Sequence, residues 1–150
     1  MRAERTLTEE VPAQPDRVRG FFTDFENIKR VHPLVVSVRS TGRCETADGS
    51  VQTYRVRDRI PLGPFTLRTS YLARLLVPVT GDVSTEARQF PRVRLRSKVA
   101  FEPIDGGTRV VERITIDAPR PLAGMTTRKA VEAHTAMLAG VRRSFERTPS

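Results

Sequence analysis

Only one cysteine, Cys44, occurs in the 150 residues, so no internal disulfide can form and the chain suits a reducing compartment. No apolar run approaches the ~20 residues that a membrane-spanning helix needs. The opening MRAERTLTEE is charged and lacks the apolar core of a secretory signal, so a cytoplasmic location is expected. Histidine is also scarce. His32 and His134 are the only two and lie far apart, too few for an iron site of two histidines and a carboxylate. Neither a metal nor a cofactor is expected. Repeats and low-complexity tracts are missing, and only RTPS at 147–150 reads as a loose tail. The length is that of one domain with a real core, so 1–150 is taken as a single domain.

Acidic residues are in deficit: 26 Lys and Arg against 17 Asp and Glu leave a formal charge of +9. Clustered basic residues would point to nucleic acid or an anionic membrane. Here they alternate along extended segments: Arg55, Arg57 and Arg59 share one face, as do Arg94, Arg96 and Lys98. Period-two charge opposite apolar residues is the pattern of a half-solvated sheet. With no zinc-finger, helix-turn-helix or aromatic–basic RNA signature, no specific nucleic-acid partner is expected.

Arg5–Val11 alternates as a first strand. Gln14-Pro15-Asp16 then opens a helical stretch, since proline suits the first turn and aspartate the positive end of the dipole. Val18, Phe21, Phe22, Phe25 and Ile28 form one stripe along it, and His32-Pro33 ends it. Short alternating runs follow at 34–43, 50–60, 65–75, 83–89, 93–102 and 109–116, separated by Ala47-Asp48-Gly49, Pro61-Leu62-Gly63-Pro64, Thr80-Gly81-Asp82, Phe90-Pro91 and Asp105-Gly106-Gly107. Strands on tight turns predict an antiparallel meander. From Leu122 to Phe145 no proline interrupts, and Ala130, His134, Met137, Leu138, Val141 and Phe145 recur at helical spacing. A helix of about 24 residues runs ~36 Å, long enough to cross a sheet. The fold class is therefore α+β: a curved antiparallel sheet of about seven strands around a long C-terminal helix, with short helices after the first strand.

Four stretches, VPAQPDRVRGFFTDFENIKRVHPLV, YRVRDRIPLGPFTLRTSYLA, EPIDGGTRVVERITIDAP and AHTAMLAGVRRSFE, carry a resemblance over nearly the whole chain. The sequence resembles the START/Bet v 1-like (SRPBCC) superfamily, in particular its bacterial polyketide cyclase/dehydrase-like members. That resemblance implies a helix-grip fold with an internal cavity for lipids, hormones or polyketides. It does not fix function, because the superfamily includes carriers, sensors and aromatase/cyclases. No complete catalytic set of the aromatase/cyclases maps onto this chain.

Strand and helix parity selects the polar side chains expected to face the cavity. Tyr54 and Asp58 share parity with Val56 and Ile60, Tyr71 and Thr69 with Phe65 and Leu67, Ser97 with Leu95 and Val99, and Glu112 with Val110 and Ile114. His134 and Met137 lie on the helix stripe. An unpaired buried polar group costs ~1–3 kcal/mol, so a ligand or water is a natural partner. Each also has a plainer reading. His134 is then a satisfied core histidine, Glu112 an arginine partner, Asp58 a solvated turn residue, and the tyrosines strand formers with surface hydroxyls. His32 packs or caps at the cavity mouth, and Cys44 is inert. Tyr54, Asp58, Tyr71, Ser97, Glu112, His134 and Met137 form the expected ligand-binding set, and Glu112 with His134 the candidate acid–base pair. Three functions stay open. The first is binding of a hydrophobic or polyketide-like small molecule by a monomer or homodimer, and the second is a polyketide cyclase/dehydratase acting in the same cavity. The third is a protein- or membrane-interaction domain using the basic sheet face.

Overall fold

The computed structural model describes residues 1–146; the tail expected at 147–150 lies outside the described residues. The order is β1 (Arg2–Val11), α1 (Pro15–Phe22), α2 (Phe25–Val31), β2 (Val35–Thr46), β3 (Gly49–Leu62), β4 (Phe65–Pro78), β5 (Val83–Gln89), β6 (Val93–Ile104), β7 (Gly107–Asp117) and α3 (Arg120–Glu146). The seven strands form one antiparallel sheet in the order β1-β7-β6-β5-β4-β3-β2. Every neighbour except β1 follows in sequence, as hairpin chemistry requires. At the β3–β4 turn Leu62 faces Phe65 across the two-residue loop Gly63-Pro64, with Gly63 at φ +58°, a positive φ that favours glycine.

The helical stretch at 15–31 divides into two. Thr23-Asp24 interrupts it, and the Asp24 carboxylate caps α2 by accepting from the Glu26 amide at 3.0 Å. The apolar stripe survives the break. Val18 and Phe22 join one core with Val11, Val99, Val110, Met137, Leu138 and Val141, while Phe25 joins a second with Tyr54, Val56, Ala73, Leu75 and Val83. The long helix is three residues longer than expected, because Pro121 sits in its first turn, where the missing N–H costs nothing. It packs chiefly along β1 and on α2 rather than across the whole sheet. Gly140 permits that approach: a Cβ there would lie 3.0 Å from Val31 Cβ.

The basic residues largely take the outer face. Arg55, Arg57, Arg59 and Lys98 are exposed, and Arg94 and Arg96 reach Glu86 and Asp117. Their neighbours Val56, Ser97 and Val99 are buried on the concave side.

Candidate functional site

Because α3 lies along one side of the sheet, the concave surface of β3–β6 is not filled by it. Two adjacent chambers occupy that space. The inner one, about 100 Å³, lies under α1 and α2 among Phe22, Phe25, Val56, Leu75, Val83 and Val99. The outer one, about 210 Å³, lies between the β3–β4 hairpin and the first turns of α3. His32, Tyr71, Ala87, Leu95 and His134 border both and form the waist between them.

The principal polar contact joins the last strand to the long helix. Glu112 on β7 is 1% exposed, and His134 Nδ1 lies 3.0 Å from both of its carboxylate oxygens. Across from Glu112 in the sheet stand Leu7 and Val99, so the carboxylate has apolar neighbours on either strand. Burial pulls the His134 pKa down most strongly, but the Glu112 charge, its hydrogen bond and a smaller pull from Asp58 together raise it above the ordinary value. The histidine therefore binds a proton more readily than a free imidazole, and its Nε2 has no partner among the described residues.

His32 meets His134 edge to face, with ring centroids 5.3 Å apart. It occupies the C-cap of α2, where its Nδ1 accepts from the Leu34 amide at 3.2 Å. An accepting Nδ1 places the hydrogen of the neutral ring on Nε2. Burial, helped by repulsion from His134, pulls the His32 pKa down to about 3. The two rings are thus pushed in opposite directions: His32 is held neutral, and His134 is made the better proton holder.

On the sheet wall, Tyr71 Oη donates to both oxygens of Asp58 at 3.3 and 3.2 Å. Asp58 is 6% exposed, not solvated by the Pro61 turn, because β3 continues to Leu62 and carries the turn away from it. Burial pushes its carboxyl up to about 6, against the hydrogen bond from Tyr71 and the charge of His134. Burial likewise raises the Tyr71 hydroxyl well above its usual range, with the Asp58 charge adding to it. Beside this pair in the outer chamber, the Thr69 hydroxyl is buried without a hydrogen-bond partner among the described residues.

Five of the seven expected ligand-binding residues, Tyr71, Ser97, Glu112, His134 and Met137, border the inner chamber, and Asp58 borders the outer one. Ser97 is already occupied, sharing a 2.9 Å hydrogen bond with Thr85. Tyr54 is the correction. It points to the concave side as parity requires, but Phe25 stacks on its ring at 4.5 Å and Gln52 accepts its hydroxyl, so it reaches neither chamber. His32 and Thr85 were not among the expected site residues; Thr69 had the parity of the cavity face but was left out of the ligand-binding set. The scarcity of histidine was a usable signal for the first, since both copies meet at the waist.

The arrangement offers a mostly apolar enclosure with a few convergent polar groups, the usual make-up of a small-molecule site. Among the described residues no group of three or more His, Cys, Asp or Glu side chains is placed to hold a metal ion, and no helix is long and apolar enough to cross a membrane.

Solved structures share this architecture. TTHA0849 from Thermus thermophilus is 19% identical, with 99% of this chain and 100% of that chain covered and a TM-score of 0.75. The Zhui aromatase/cyclase from Streptomyces sp. R1128 is 16% identical over 98% of this chain and 95% of that one, also at 0.75. Ara h 8.0201 is 15% identical over 94% and 98%, at 0.62. These likenesses establish the fold. No curated protein matches the chain. The model of one family, described as polyketide cyclase/dehydrase and lipid transport, matches residues 2–146. With that match over almost its whole length, the chain belongs to the polyketide cyclase/dehydrase and lipid transport family of SRPBCC-type proteins.

Proposed function

We propose that the protein encloses a hydrophobic, oxygen-bearing small molecule across the two chambers, with its polar atoms at the waist. The observation that carries this reading is the convergence there of His32, Tyr71 and His134, each backed by a fixed partner, in a mostly apolar space. Together the chambers reach the lower end of the ~300–1,000 Å³ range of small-molecule sites. A carbonyl or hydroxyl oxygen at the waist gains hydrogen bonds from His32 Nε2–H and from protonated His134. The unpartnered Thr69 hydroxyl offers another in the outer chamber. The family and the aromatase/cyclase neighbour are consistent with a polyketide-like ligand.

The Glu112–His134 pair favours a second reading, acid–base chemistry on the bound molecule. A carboxylate behind Nδ1 fixes the ring and its tautomer and leaves Nε2 to exchange a proton with the ligand. Protonated His134 is suited to give its proton to a departing hydroxyl, which leaves as water. Asp58, raised to about 6, is ionised at neutral pH and suited to accept a proton from carbon.

Native mass spectrometry of the freshly purified protein tests the first reading. A retained small molecule is expected, lost in a variant with Ala130→Leu and Ala87→Leu filling the chamber wall. Protein that carries no ligand and binds no polyketide-like compound argues against it. For the second reading, Glu112→Gln and His134→Ala should abolish turnover while each still binds the compound. Equal loss of binding and turnover would leave only the first.

A further inference from the structure

The end of the molecule where the outer chamber opens differs from the rest of its surface. Phe65 at the tip of the β3–β4 hairpin is 75% exposed, and Phe90 on the β5–β6 turn is 95% exposed. Both turns leave the sheet at the same end, and Phe90 borders the outer chamber with Leu62 and Leu67 of the hairpin and Leu122 and Met125 of α3. Singly exposed apolar residues are ordinary, but two bare phenylalanines at one end of a sheet are not.

The hairpin is graded from apolar to basic. Its register sets Leu62 against Phe65 at the tip, then Pro61 against Thr66, Ile60 against Leu67, and Arg59 against Arg68. At ~3.4 Å per residue the arginines stand ~10 Å behind the tip. Directly opposed like charges repel. No carboxylate pairs with either among the described residues. Apart from buried Asp58, residues 59–71, 87–96 and 118–131 at this end contain no Asp or Glu, and the nearby Asp117 is held by Arg2 and Arg96. An apolar tip with a basic collar ~10 Å behind it matches an interfacial element, which sinks ~5–10 Å into the boundary of headgroup and acyl chain. An anionic bilayer accommodates both the bare rings and the arginines; a single-stranded nucleic acid, whose bases would stack on the rings, is the competing occupant and would not carry the protein down with vesicles.

We propose that this end docks on an anionic lipid bilayer, with Phe65 in the interface, Arg59 and Arg68 among the headgroups, and the mouth of the outer chamber, with Phe90 beside it, facing the lipid. The docking surface stands whatever molecule the chamber takes.

The protein has no tryptophan, so Phe65→Trp and Phe90→Trp each install a single reporter. With phosphatidylcholine vesicles containing about 30% phosphatidylglycerol, at about 0.1 M salt, the emission of both should shift to the blue and the protein should co-sediment. Pure phosphatidylcholine should bind far less. The double change Phe65→Ser with Phe90→Ser should weaken anionic-vesicle binding by about tenfold or more. Each of Arg59→Gln and Arg68→Gln should weaken it by about fivefold. All four residues are exposed, so melting temperatures should hold and report that the fold is intact. No co-sedimentation with anionic vesicles would overturn the proposal. So would binding that is unchanged by the two serines, which would point to a partner held by charge alone.

Discussion

The two halves of α3 do opposite things with the same secondary structure. Beyond His134, Leu138, Gly140 and Val141 interlock with β1, α1 and α2, and only Met137 of this stripe touches a cavity, the small inner chamber. Before His134, Leu122, Met125, Thr126, Ala130 and Ala133 border an open chamber. The difference lies in side-chain volume, not in pattern. Ala130 and Ala133 on the helix, with Ala87 on the sheet, stand where larger residues would close the gap. A cavity in a densely packed protein must be specified by such small residues, because packing otherwise fills voids. His134 sits at the boundary, with one half of the helix holding it firm and the other leaving it accessible.

Truncations on either side sharpen this contrast most. Leu138→Ala at the solid end should cost about 3 kcal/mol and lower Tm by roughly 10 °C. Met125→Ala at the chamber should cost under about 1 kcal/mol, since its surroundings are already partly empty. Similar losses from both in thermal denaturation would erase the distinction between the ends.

The chamber wall should also reveal itself through pH. Asp58 has a folded pKa of about 6, above its unfolded value, so its contribution to stability is complete in acid and is lost as pH rises through 6. Replacing it in Asp58→Asn should therefore stabilise the protein by about 2–3 kcal/mol at pH 8 and change little at pH 4. Destabilisation at pH 8, measured by chemical denaturation, would show that the ionised carboxylate is better solvated than its burial indicates.

A smaller effect concerns slopes. His32, with its pKa pulled down to about 3, leaves the unfolded chain binding more protons, so stability falls as pH drops from 6.5 towards 3. Asp58 acts in the opposite sense between pH 6 and 4. At about 1.4 kcal/mol per pH unit each, the two should nearly cancel in the native protein. Asp58→Asn should uncover the loss belonging to His32, and His32→Gln the gain belonging to Asp58. A single variant that leaves the slope unchanged would mean that its group titrates normally.

Smallest in stability is the filling of the void itself. Ala130→Leu should change Tm by no more than ~1 kcal/mol allows, while abolishing ligand uptake. Unimpaired uptake would move the binding site to the inner chamber alone.

Much of this architecture was legible in the residues. Alternation at 54–60 and 65–75 placed the two longest strands and their inner faces, and the proline-free run after Pro121 placed α3. Parity brought Glu112 and His134 to facing surfaces, and the helix–strand packing set them 3.0 Å apart. Other features depended on contacts that periodicity does not carry. The stripe through Val18, Phe22 and Phe25 keeps helical spacing across the break at Thr23-Asp24, so it reads as one helix, although Asp24 was a usable cap signal. Parity gave the side of the sheet for Tyr54 but not its position along the groove, where Phe25 covers it. The ring of His32 reaches the waist only because α2 is folded back against α3, which brings two residues from opposite ends of the chain into contact.

That contact makes the protein its own reporter. Both of its histidines border the two chambers, so no imidazole elsewhere contributes a background signal. The carbon-bound ring protons of an unlabelled sample therefore give one pair of NMR resonances per wall. Each ring sits within the field of the other, so the pairs shift when a guest arrives or the rings reorient. Occupancy of the chambers can be followed in solution without a tag or a chromophore, and before the guest has been identified.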